Sequence, residues 1–410
     1  MCNRDIQNPS TAEAAVLSCA AIDAMATVPP SHPKAASPTG AAALPNAAAC
    51  PGTATVSAST GTDEALLRKL ANTHSLRLAE YEFLVAHATA ETQRLAAALA
   101  REAAQRVYGT AVFARGLIEL SNFCKNNCYY CGIRAGNKSC ERYRLQASEV
   151  LHCAEVGYRR GFRTFVLQAG EDPALSDAFL TSLLQNLKRR FPDCAITLSL
   201  GERSPESYER LYEAGADRYL LRHETATPTH YGQLHPQSLS FENRMACLHA
   251  LKRIGYATGC GFMVGSPGQT PAHLARDLKF VEEFKPAMCG IGPFIPHHAT
   301  PFAHERAGSV DQTCFLLSLL RLMQPNLLLP ATTALGTLAP DGQGRGILAG
   351  ANVLMPNLSP AKVRAKYEIY ENKAHQGKEA SERWQEIDEA LQTIGYRLVI
   401  GRGDAATEAA

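Results

Sequence analysis

The sequence predicts an α/β fold, a (β/α)8 TIM-type barrel with an N-terminal helical extension and C-terminal helices. Eight short β-rich segments recur between residues 117 and 355, and amphipathic helical patterns separate them. Hydrophobic residues make up 46% of the 410-residue chain and charged residues 20%, so the chain can bury one large core and carry appendages. An open, doubly wound parallel sheet is the alternative fold.

The elements follow in a regular order. Residues 63–110 have a helical pattern, residues 111–358 form the predicted barrel, and residues 359–410 hold one or two helices and a polar, frayed tail. The predicted strands are Leu117–Leu120, Thr164–Gln168, Ala195–Leu200, Asp217–His223, Tyr256–Val264, Met288–Phe294, Leu327–Thr333 and Ile347–Met355. The predicted barrel helices are Ala147–Arg160, Leu175–Arg190, Ser204–Glu213, Ser240–Ile254, Pro271–Phe284 and Val310–Met323.

Residues 1–62 differ in composition from the rest of the chain. They are rich in Ala, Pro, Ser and Thr and poor in large apolar residues, which predicts a disordered tail or a targeting segment. Only Arg4 and Lys34 are basic in this segment, whereas transit peptides are usually rich in arginine. Both interpretations therefore stay open.

Charge and cysteine usage exclude several classes of protein. The net charge is +2, from 41 Lys and Arg against 39 Asp and Glu, so we expect no nucleic-acid partner. No apolar run reaches the roughly 18 residues of a spanning helix, so we expect no membrane partner. Most of the 13 cysteines occur singly in apolar stretches, which is typical of buried thiols in a reducing intracellular compartment.

The strand pattern predicts a barrel with a polar interior. Alternate strand residues share a face, so Arg218, Arg222 and Glu224 lie on one side of the fourth strand, and Tyr219 and His223 lie on the other. Because unpaired buried charges are costly, the polar side is expected to surround a polar, charged ligand. An internal network of salt bridges is the alternative.

Three closely spaced cysteines follow the first strand. Cys124, Cys128 and Cys131 form a Cys-x3-Cys-x2-Cys motif on a polar loop, and thiolates of this kind bind zinc or iron–sulfur clusters. Structural zinc sites need four ligands, and Cys140 is a possible fourth ligand. Three cysteines instead fit a cubane cluster with one iron open for chemistry. Another pair of potential metal ligands, His297 and His298, lies in a proline-rich loop, and we interpret it as loop structure.

The motif, with an aromatic residue before its last cysteine, resembles the signature of radical S-adenosylmethionine (radical SAM) enzymes. Within that superfamily, residues 110–370 resemble the HydE family of FeFe-hydrogenase maturases. The matching stretches span residues 121–132, 166–173, 197–202, 216–225, 241–244, 290–296, 330–333 and 350–353. The three cysteines alone would not separate HydE from biotin synthase or methylornithine synthase.

This resemblance implies one 4Fe–4S cluster on Cys124, Cys128 and Cys131. It implies that the enzyme reductively cleaves S-adenosylmethionine to a 5′-deoxyadenosyl radical, with an external one-electron donor. The implied cofactor-binding residues are Tyr130, Gln168, Glu224 and Arg244. The implied substrate-binding residues, which line an anion-binding cavity in the family, are Thr197, Arg218, Arg222, Thr332 and Thr333. No catalytic residue is assigned beyond these.

The resemblance also implies a biological role. The substrate would be a cysteine-bound iron carbonyl/cyanide unit made by HydG, processed towards the di-iron precursor of the hydrogenase H-cluster and passed to a HydF-like scaffold. The compartment would be anaerobic, either the cytoplasm or, if residues 1–62 are a transit peptide, a plastid or hydrogenosome.

Several alternatives stay open. Many relatives carry a second cluster on cysteines after the barrel, but the last cysteine here is Cys314, so we predict a single cluster. Ala169 and Leu335 replace a serine and a methionine that are common in the family, which affects substrate details only. A biotin-synthase-like sulfur insertion, a methylornithine-synthase-like mutase and a non-catalytic metal-binding or electron-transfer protein are the competing functions.

Overall fold

A computed structural model describes residues 56–373 and 380–407. Residues 1–55 of the predicted disordered or targeting segment lie outside the described residues, and residues 56–62, predicted as part of that segment, are helical instead. Three helices come first: α1 (Val56–Thr73), α2 (Leu78–His87) and α3 (Ala90–Tyr108). They pack on the helical layer of the barrel, with α3 against α10 (Val310–Met323) and α2 against α9 (Pro271–Phe284). In the described ranges, no helix has both the length and the apolar character needed to cross a membrane.

A parallel sheet forms the centre of the molecule. Its strands are β2 (Gly116–Ser121), β3 (Thr164–Ala169), β4 (Ala195–Ser199), β5 (Arg218–Leu220), β6 (Ala257–Cys260) and β8 (Met288–Cys289), hydrogen-bonded in that order. Isolated parallel bridges Met288–Leu328, Pro330–Val353 and Leu117–Asn357 continue the ring back to β2. The predicted (β/α)8 barrel is confirmed, and the open sheet is excluded by this closure.

The barrel helices lie where the sequence predicts them. They are α4 (Ala147–Arg159), α5 (Asp177–Arg190), α6 (Pro205–Glu213), α8 (Phe241–Ile254), α9 and α10, joined by the short α7 (Pro228–Leu234), α11 (Thr333–Leu338) and α12 (Gly342–Leu348). A Ser or Thr hydroxyl caps the N-terminus of α5, α6, α8, α9 and α10. These caps explain why the helix starts are readable from the sequence.

The later strands are shorter than predicted. The fifth and sixth segments each break into two, giving β7 (Met263–Val264) paired with β9 (Gly292–Pro293) beyond β6 and β8. At the break the chains approach closely, because a Cβ on Gly261 would lie 2.0 Å from the Gly290 carbonyl oxygen. The seventh segment is reduced to bridges at Leu328 and Pro330, since proline has no N–H for the ladder. In the eighth, Ile347 is helical and only β10 (Val353–Leu354) is extended.

The predicted facing of the fourth strand is confirmed. Tyr219 is buried outside the barrel wall, where its ring contacts those of Tyr208 and Tyr256. His223 is also fully buried on that side, against Phe280 of α9. The opposite face of the strand therefore points into the barrel.

The C-terminal residues close the N-terminal end of the barrel. After α13 (Ala361–Arg364) and α14 (Ala380–Thr393), β11 (Arg397–Val399) pairs with β1 (Ala111–Ala114), which also pairs with β10. The tail that the sequence predicts to be frayed is packed: Gly403 is buried and the Asp404 carboxylate binds Arg218. This correction has a physical reason, because Arg218 at the start of β5 needs a counter-charge that the strands do not supply.

Candidate functional site

A cavity with a volume of about 330 Å³ opens at the C-terminal ends of the barrel strands. That size is within the range of small-molecule sites, and this end of the fold is where barrel enzymes bind their substrates. The predicted residues that line it are Cys124, Cys128, Tyr130, Cys131, Gln168, Arg222, Glu224, Arg244, Thr332 and Thr333. The structure thus brings together ten of the twelve residues singled out from the sequence.

The cysteine loop is tied to the rest of the mouth by backbone hydrogen bonds. Lys125 N–H donates to the Glu171 carbonyl, Tyr129 N–H to that of Leu234 and Gly132 N–H to that of Ile369, at 2.9–3.0 Å. Only glycine fits at position 132, since a Cβ there would lie 2.2 Å from the Glu368 carbonyl oxygen. The loop is therefore held on several sides before any ligand binds.

The three thiols do not all lie as close together as the ligands of a single metal ion. Among the described residues, the three cysteines do not form a group whose sulfurs all lie within 4.8 Å of one another. In a tetrahedral zinc site the sulfurs would be about 3.8 Å apart, given Zn–S bonds of about 2.3 Å. A wider separation suits a cluster that occupies the space between the thiols.

Cys140 lies apart from this group. It does not line the cavity, and its sulfur accepts a hydrogen bond from Asn122 Nδ2 at 3.6 Å. Burial raises its pKa, and the charged neighbours that act on it are Arg142 and Glu368, not the three thiols. The geometry favours three cysteine ligands over four.

Electrostatics at the loop favour neutral thiols when no metal is bound. Burial raises the pKa of Cys128 to about 12, with a further contribution from the neighbouring Cys124 thiol, and it also raises the pKa of Cys124 and Cys131. Ligand thiolates therefore need the positive charge of a bound metal centre to form. The donor set and spacing fit an iron–sulfur cluster.

Arg244 and Glu224 both line the cavity, and Arg244 is held there by hydrogen bonds. Arg244 Nε donates to Glu202 Oε1 at 2.6 Å and Nη1 donates to the Arg222 carbonyl at 2.7 Å. Burial opposes its charge, but Tyr231 and Glu202 outweigh this effect and raise the pKa of Arg244 above its ordinary value. The guanidinium is a fixed cation, suited to a ligand carboxylate.

Tyr130 is oriented by a buried histidine. Its hydroxyl donates to His235 Nε2 at 3.1 Å, and His235 Nδ1–H donates to the Tyr231 carbonyl at 2.9 Å. Burial lowers the pKa of His235 to about 3, so the ring is neutral and this tautomer is maintained. The Tyr130 side chain also lies within hydrogen-bonding reach of the Cys128 thiol, so it contacts both His235 and the cysteine loop.

Arg222 and Thr332 present unsatisfied polar atoms to the cavity. Within the part of the chain that the structure describes, Arg222 Nε and Nη2, Glu224 Oε2 and Thr332 Oγ1 are buried without a hydrogen-bond partner. Arg222 Nη2 lies 3.2 Å from Glu224 Oε2 but is not aligned for a hydrogen bond. Groups of this kind require a partner, and a polar ligand would provide one.

Two predicted substrate-binding residues lie elsewhere. Arg218 and Thr197 line a separate cavity of about 170 Å³ at the opposite end of the barrel, and the two residues pair in register. Arg218 donates to Asp404 there at 2.5 Å. Strand alternation predicts which face a residue lies on but not its position along the barrel axis. Arg218 and Arg222 are four residues apart, which is about 13 Å along a strand. For Arg218, the predicted alternative of an internal salt bridge is the one observed.

Several cavity residues lie outside the set of site residues that the sequence interpretation assigned. Glu171 and Glu119 line the wall, and Lys373, Tyr367 and Tyr370 enter from the segment after α13. Glu171 lies two residues after β3, and from the sequence this position indicates either a role in the turn or contact with the cofactor. Lys373 pairs with Glu119, which lies 254 residues earlier in the chain, so no local pattern could have indicated this contact.

Comparisons with known proteins agree with this site. Residues 118–281 match the radical SAM superfamily, and this range contains all three cysteines. The chain is 46% identical over 275 residues to the [FeFe] hydrogenase maturase subunit HydE of Thermotoga maritima. The alignment covers 67% of this chain and 78% of that protein.

Solved structures show the same architecture. Methylornithine synthase (PylB) superposes with a TM-score of 0.72 at 25% identity, over 82% of this chain and 97% of that one. The FeFe-hydrogenase maturase HydG from Carboxydothermus hydrogenoformans gives a TM-score of 0.71 at 21% identity, over 83% and 80%. At that identity, the likeness to HydG concerns the fold alone.

Proposed function

Because the chain belongs to the HydE family of radical SAM enzymes, we propose that it cleaves S-adenosylmethionine reductively and acts in the assembly of the FeFe-hydrogenase H-cluster. The observation that carries this proposal is the convergence of three thiols at the mouth of a cavity with buried, unsatisfied charged groups. The thiols and the charged groups are independent features. A radical SAM enzyme needs both a site for the cluster and a polar pocket for S-adenosylmethionine.

Each part of the cofactor finds a matching group in the chain. Cys124, Cys128 and Cys131 would hold a 4Fe–4S cluster, while Arg244 would bind the carboxylate and Glu224 an ammonium or hydroxyl of S-adenosylmethionine. Tyr130 and Gln168 would complete the pocket. When bound, the cluster and S-adenosylmethionine supply one-electron cleavage of the sulfonium to a 5′-deoxyadenosyl radical.

The chain itself provides position and exclusion of water. The cysteine loop is anchored to three other segments, and apolar residues including Met263, Phe294, Ile295 and Met355 line the cavity beside the charged groups. A largely apolar wall protects a reactive intermediate from side reactions. No general base is needed for hydrogen abstraction by a radical, and none is assigned.

The substrate proposed is an anionic iron carbonyl/cyanide unit bound to cysteine, which HydG would supply and a HydF-like scaffold would accept. Arg222, Thr332 and Thr333 would bind its polar groups, since all three line the cavity and the donors of Arg222 and Thr332 have no hydrogen-bond partner among the described residues. Arg218 and Thr197 would contribute only from a distance, because they lie at the other end of the barrel.

The reaction class is tested by anaerobic reconstitution with iron and sulfide, followed by dithionite and S-adenosylmethionine. We expect 5′-deoxyadenosine from the wild type and none from Cys128→Ser. Cys140→Ser is the matched control: it should keep both the cluster and the activity. Loss of the cluster in Cys140→Ser would mean four cysteine ligands and no open iron, which would contradict the proposal.

The maturation role is tested separately in a coupled assay that activates apo-hydrogenase with HydG and HydF. Omission of this protein should abolish activation, and the Cys128→Ser variant should not restore it. A chain that forms 5′-deoxyadenosine but consumes dethiobiotin or lysine in place of supporting activation would instead be a biotin-synthase-like or methylornithine-synthase-like enzyme.

A further inference from the structure

Two histidines and a glutamate from distant parts of the sequence meet at the rim of the barrel. His297 and His298 follow β9, and Glu371 comes 73 residues after His298. One ligating atom of each residue lies within 4.8 Å of the other two. Two imidazoles and a carboxylate form a donor set that binds zinc and similar divalent ions.

The hydrogen bonds of the two rings indicate which nitrogens would bind the metal. His298 Nδ1 donates to Glu371 Oε2 at 2.7 Å, so a metal ion bound by both groups would replace the proton on Nδ1. His297 Nδ1 accepts from the Ala299 N–H at 3.1 Å, so the proton is on Nε2, which faces Glu368 Oε2 at 3.8 Å. For His297, a carboxylate on the second nitrogen is the arrangement that orients metal-binding histidines, and it leaves Nδ1 to bind the metal in place of the Ala299 N–H.

The residues differ in how far they can move. His297 is buried, and its ring stacks on that of His298 with 4.3 Å between the centroids. The His298 side chain is 65% exposed and that of Glu371 is 39% exposed. Metal bonds of about 2.1 Å would bring the three donors to about 3.4 Å from one another. The two exposed side chains can make that adjustment without disturbing the core.

The location gives such a site a structural consequence. Glu371 lies in the 367–373 segment, whose Tyr367, Ile369, Tyr370 and Lys373 line the main cavity. The backbone of this segment is tied to the rim, where Glu371 N–H donates to the Pro296 carbonyl at 3.1 Å. A metal ion on these three side chains would cross-link the segment to the loop after β9.

We propose that His297, His298 and Glu371 form a second metal site, separate from the cysteine loop, that takes a divalent transition-metal ion and fixes the 367–373 segment over the cavity. The site does not depend on the proposed function. Zn²⁺ is the probe, because it has no redox chemistry and accepts this donor set.

The test uses the full-length, untagged protein after anaerobic cluster reconstitution, because vacant thiols would bind zinc themselves. Zinc binding is measured by competition with a chromogenic chelator, and bound zinc is counted by elemental analysis. We expect one tightly bound Zn²⁺ per chain. His298→Gln and Glu371→Gln should each weaken binding at least about tenfold, since loss of an outer-shell partner alone costs 10–100-fold.

The matched control is His304→Gln, an exposed histidine a few residues further along the same loop, which should bind zinc like the wild type. Hydrogen exchange in residues 367–373 should slow on zinc addition in the wild type and not in Glu371→Gln. A wild-type chain that binds no zinc beyond its background, or equal affinity in all three variants, would overturn the proposal.

Discussion

Glu224 shows how a single backbone conformation directs a side chain into the cavity. Its φ of +65° lies in the left-handed region, which costs a non-glycine residue about 1–2 kcal/mol. The surrounding strands hold this conformation, since Glu224 N–H donates to the Gly261 carbonyl at 3.0 Å and Phe262 bridges to Glu224. The chain thus keeps a residue in a strained conformation at the cavity wall. Strained residues of this kind are common at functional sites.

Replacement of this carboxylate should weaken cofactor binding. Glu224→Gln keeps the size of the side chain but removes the charge, and a hydrogen bond to a charged group contributes about 1.5–3 kcal/mol. We expect the dissociation constant for S-adenosylmethionine to rise about 10- to 100-fold while the iron content stays unchanged. Glu209→Gln, an exposed residue of α6, is the control. Unchanged affinity in Glu224→Gln would remove Glu224 from the proposed pocket.

At the scale of elements, one carboxylate joins the helices α5 and α6. Asp177 is the first residue of α5, and it accepts hydrogen bonds from Ser207 at 2.6 Å, from Arg203 at 2.8 Å and from Arg210. Burial alone would raise the pKa of Asp177, but these donors outweigh it and lower the pKa to about 2. The charge also suits the positive end of the helix.

The Asp177 contact should make stability depend on pH in acid. The folded pKa is about 2 and the unfolded pKa about 3.9, so the contribution is complete above pH 4 and is lost as pH falls through 2. Asp177→Asn should lower the unfolding free energy at pH 7 by about 1–2 kcal/mol, allowing for partial exposure. Urea titrations at pH 7 and at pH 3 should show the difference shrinking in acid. Glu213→Gln should show no such trend.

The 367–373 segment is held to the barrel by a buried ion pair. The Lys373 ammonium contacts the Glu119 carboxylate, which also accepts from Asn357 Nδ2 at 2.8 Å. Glu119 is fully buried, and the Lys373 side chain is 9% exposed. Removal of one partner from such a pair leaves an uncompensated charge in the interior.

Lys373→Met should therefore destabilise the protein by about 3–5 kcal/mol, measured as a lower urea midpoint. The double variant Glu119→Gln/Lys373→Met removes both charges and should recover most of that loss. If the double variant is less stable than Lys373→Met, the two side chains are not a coupled pair. The cycle separates the Lys373–Glu119 coupling from the loss of the cation–π contact with Tyr367, whose ring lies 4.8 Å from the ammonium.

At the scale of the whole molecule, local patterns predict most of the barrel. Helices such as α9 and α10 have the predicted bounds because their caps and the spacing of their apolar residues depend only on residues close together in the sequence. The three cysteines are close in sequence, so their convergence is predictable as well. Ile347 in contrast reads as extended from its apolar neighbours but lies in α12, where packing decides the conformation.

What the sequence could not predict depends on contacts between distant segments. Strand alternation assigns Arg218 and Arg222 to the same face. It does not show that Arg218 lies at the N-terminal end of the barrel, whereas Arg222 lines the main cavity at the other end. The partners of Arg218, Lys373 and His298 all come from remote positions: Asp404, Glu119 and Glu371. Ion pairs between residues so far apart in the sequence produce no periodic pattern from which they could be predicted.

The floor of the barrel concentrates positive charge that a single C-terminal carboxylate offsets. Arg115 is fully buried and Arg218 nearly so, and burial lowers the pKa of both guanidinium groups. Arg115 has no carboxylate within ion-pair distance among the described residues, and Arg218 has Asp404. Stability of the closed barrel should therefore depend on this tail residue.

Asp404→Asn should lower the unfolding free energy by about 2 kcal/mol, less than for a fully buried pair because the Asp404 side chain is 55% exposed. Thermal unfolding of the full chain at low and high salt measures this effect, and added salt should narrow the gap by screening the two cations. Asp341→Asn, at an exposed position before α12, is the matched control. Because Arg218→Gln removes the charge that Asp404 compensates, the double variant Arg218→Gln/Asp404→Asn should be more stable than Asp404→Asn. If the double variant were less stable than Asp404→Asn, the C-terminal tail would stabilise this end of the barrel through packing and not through charge.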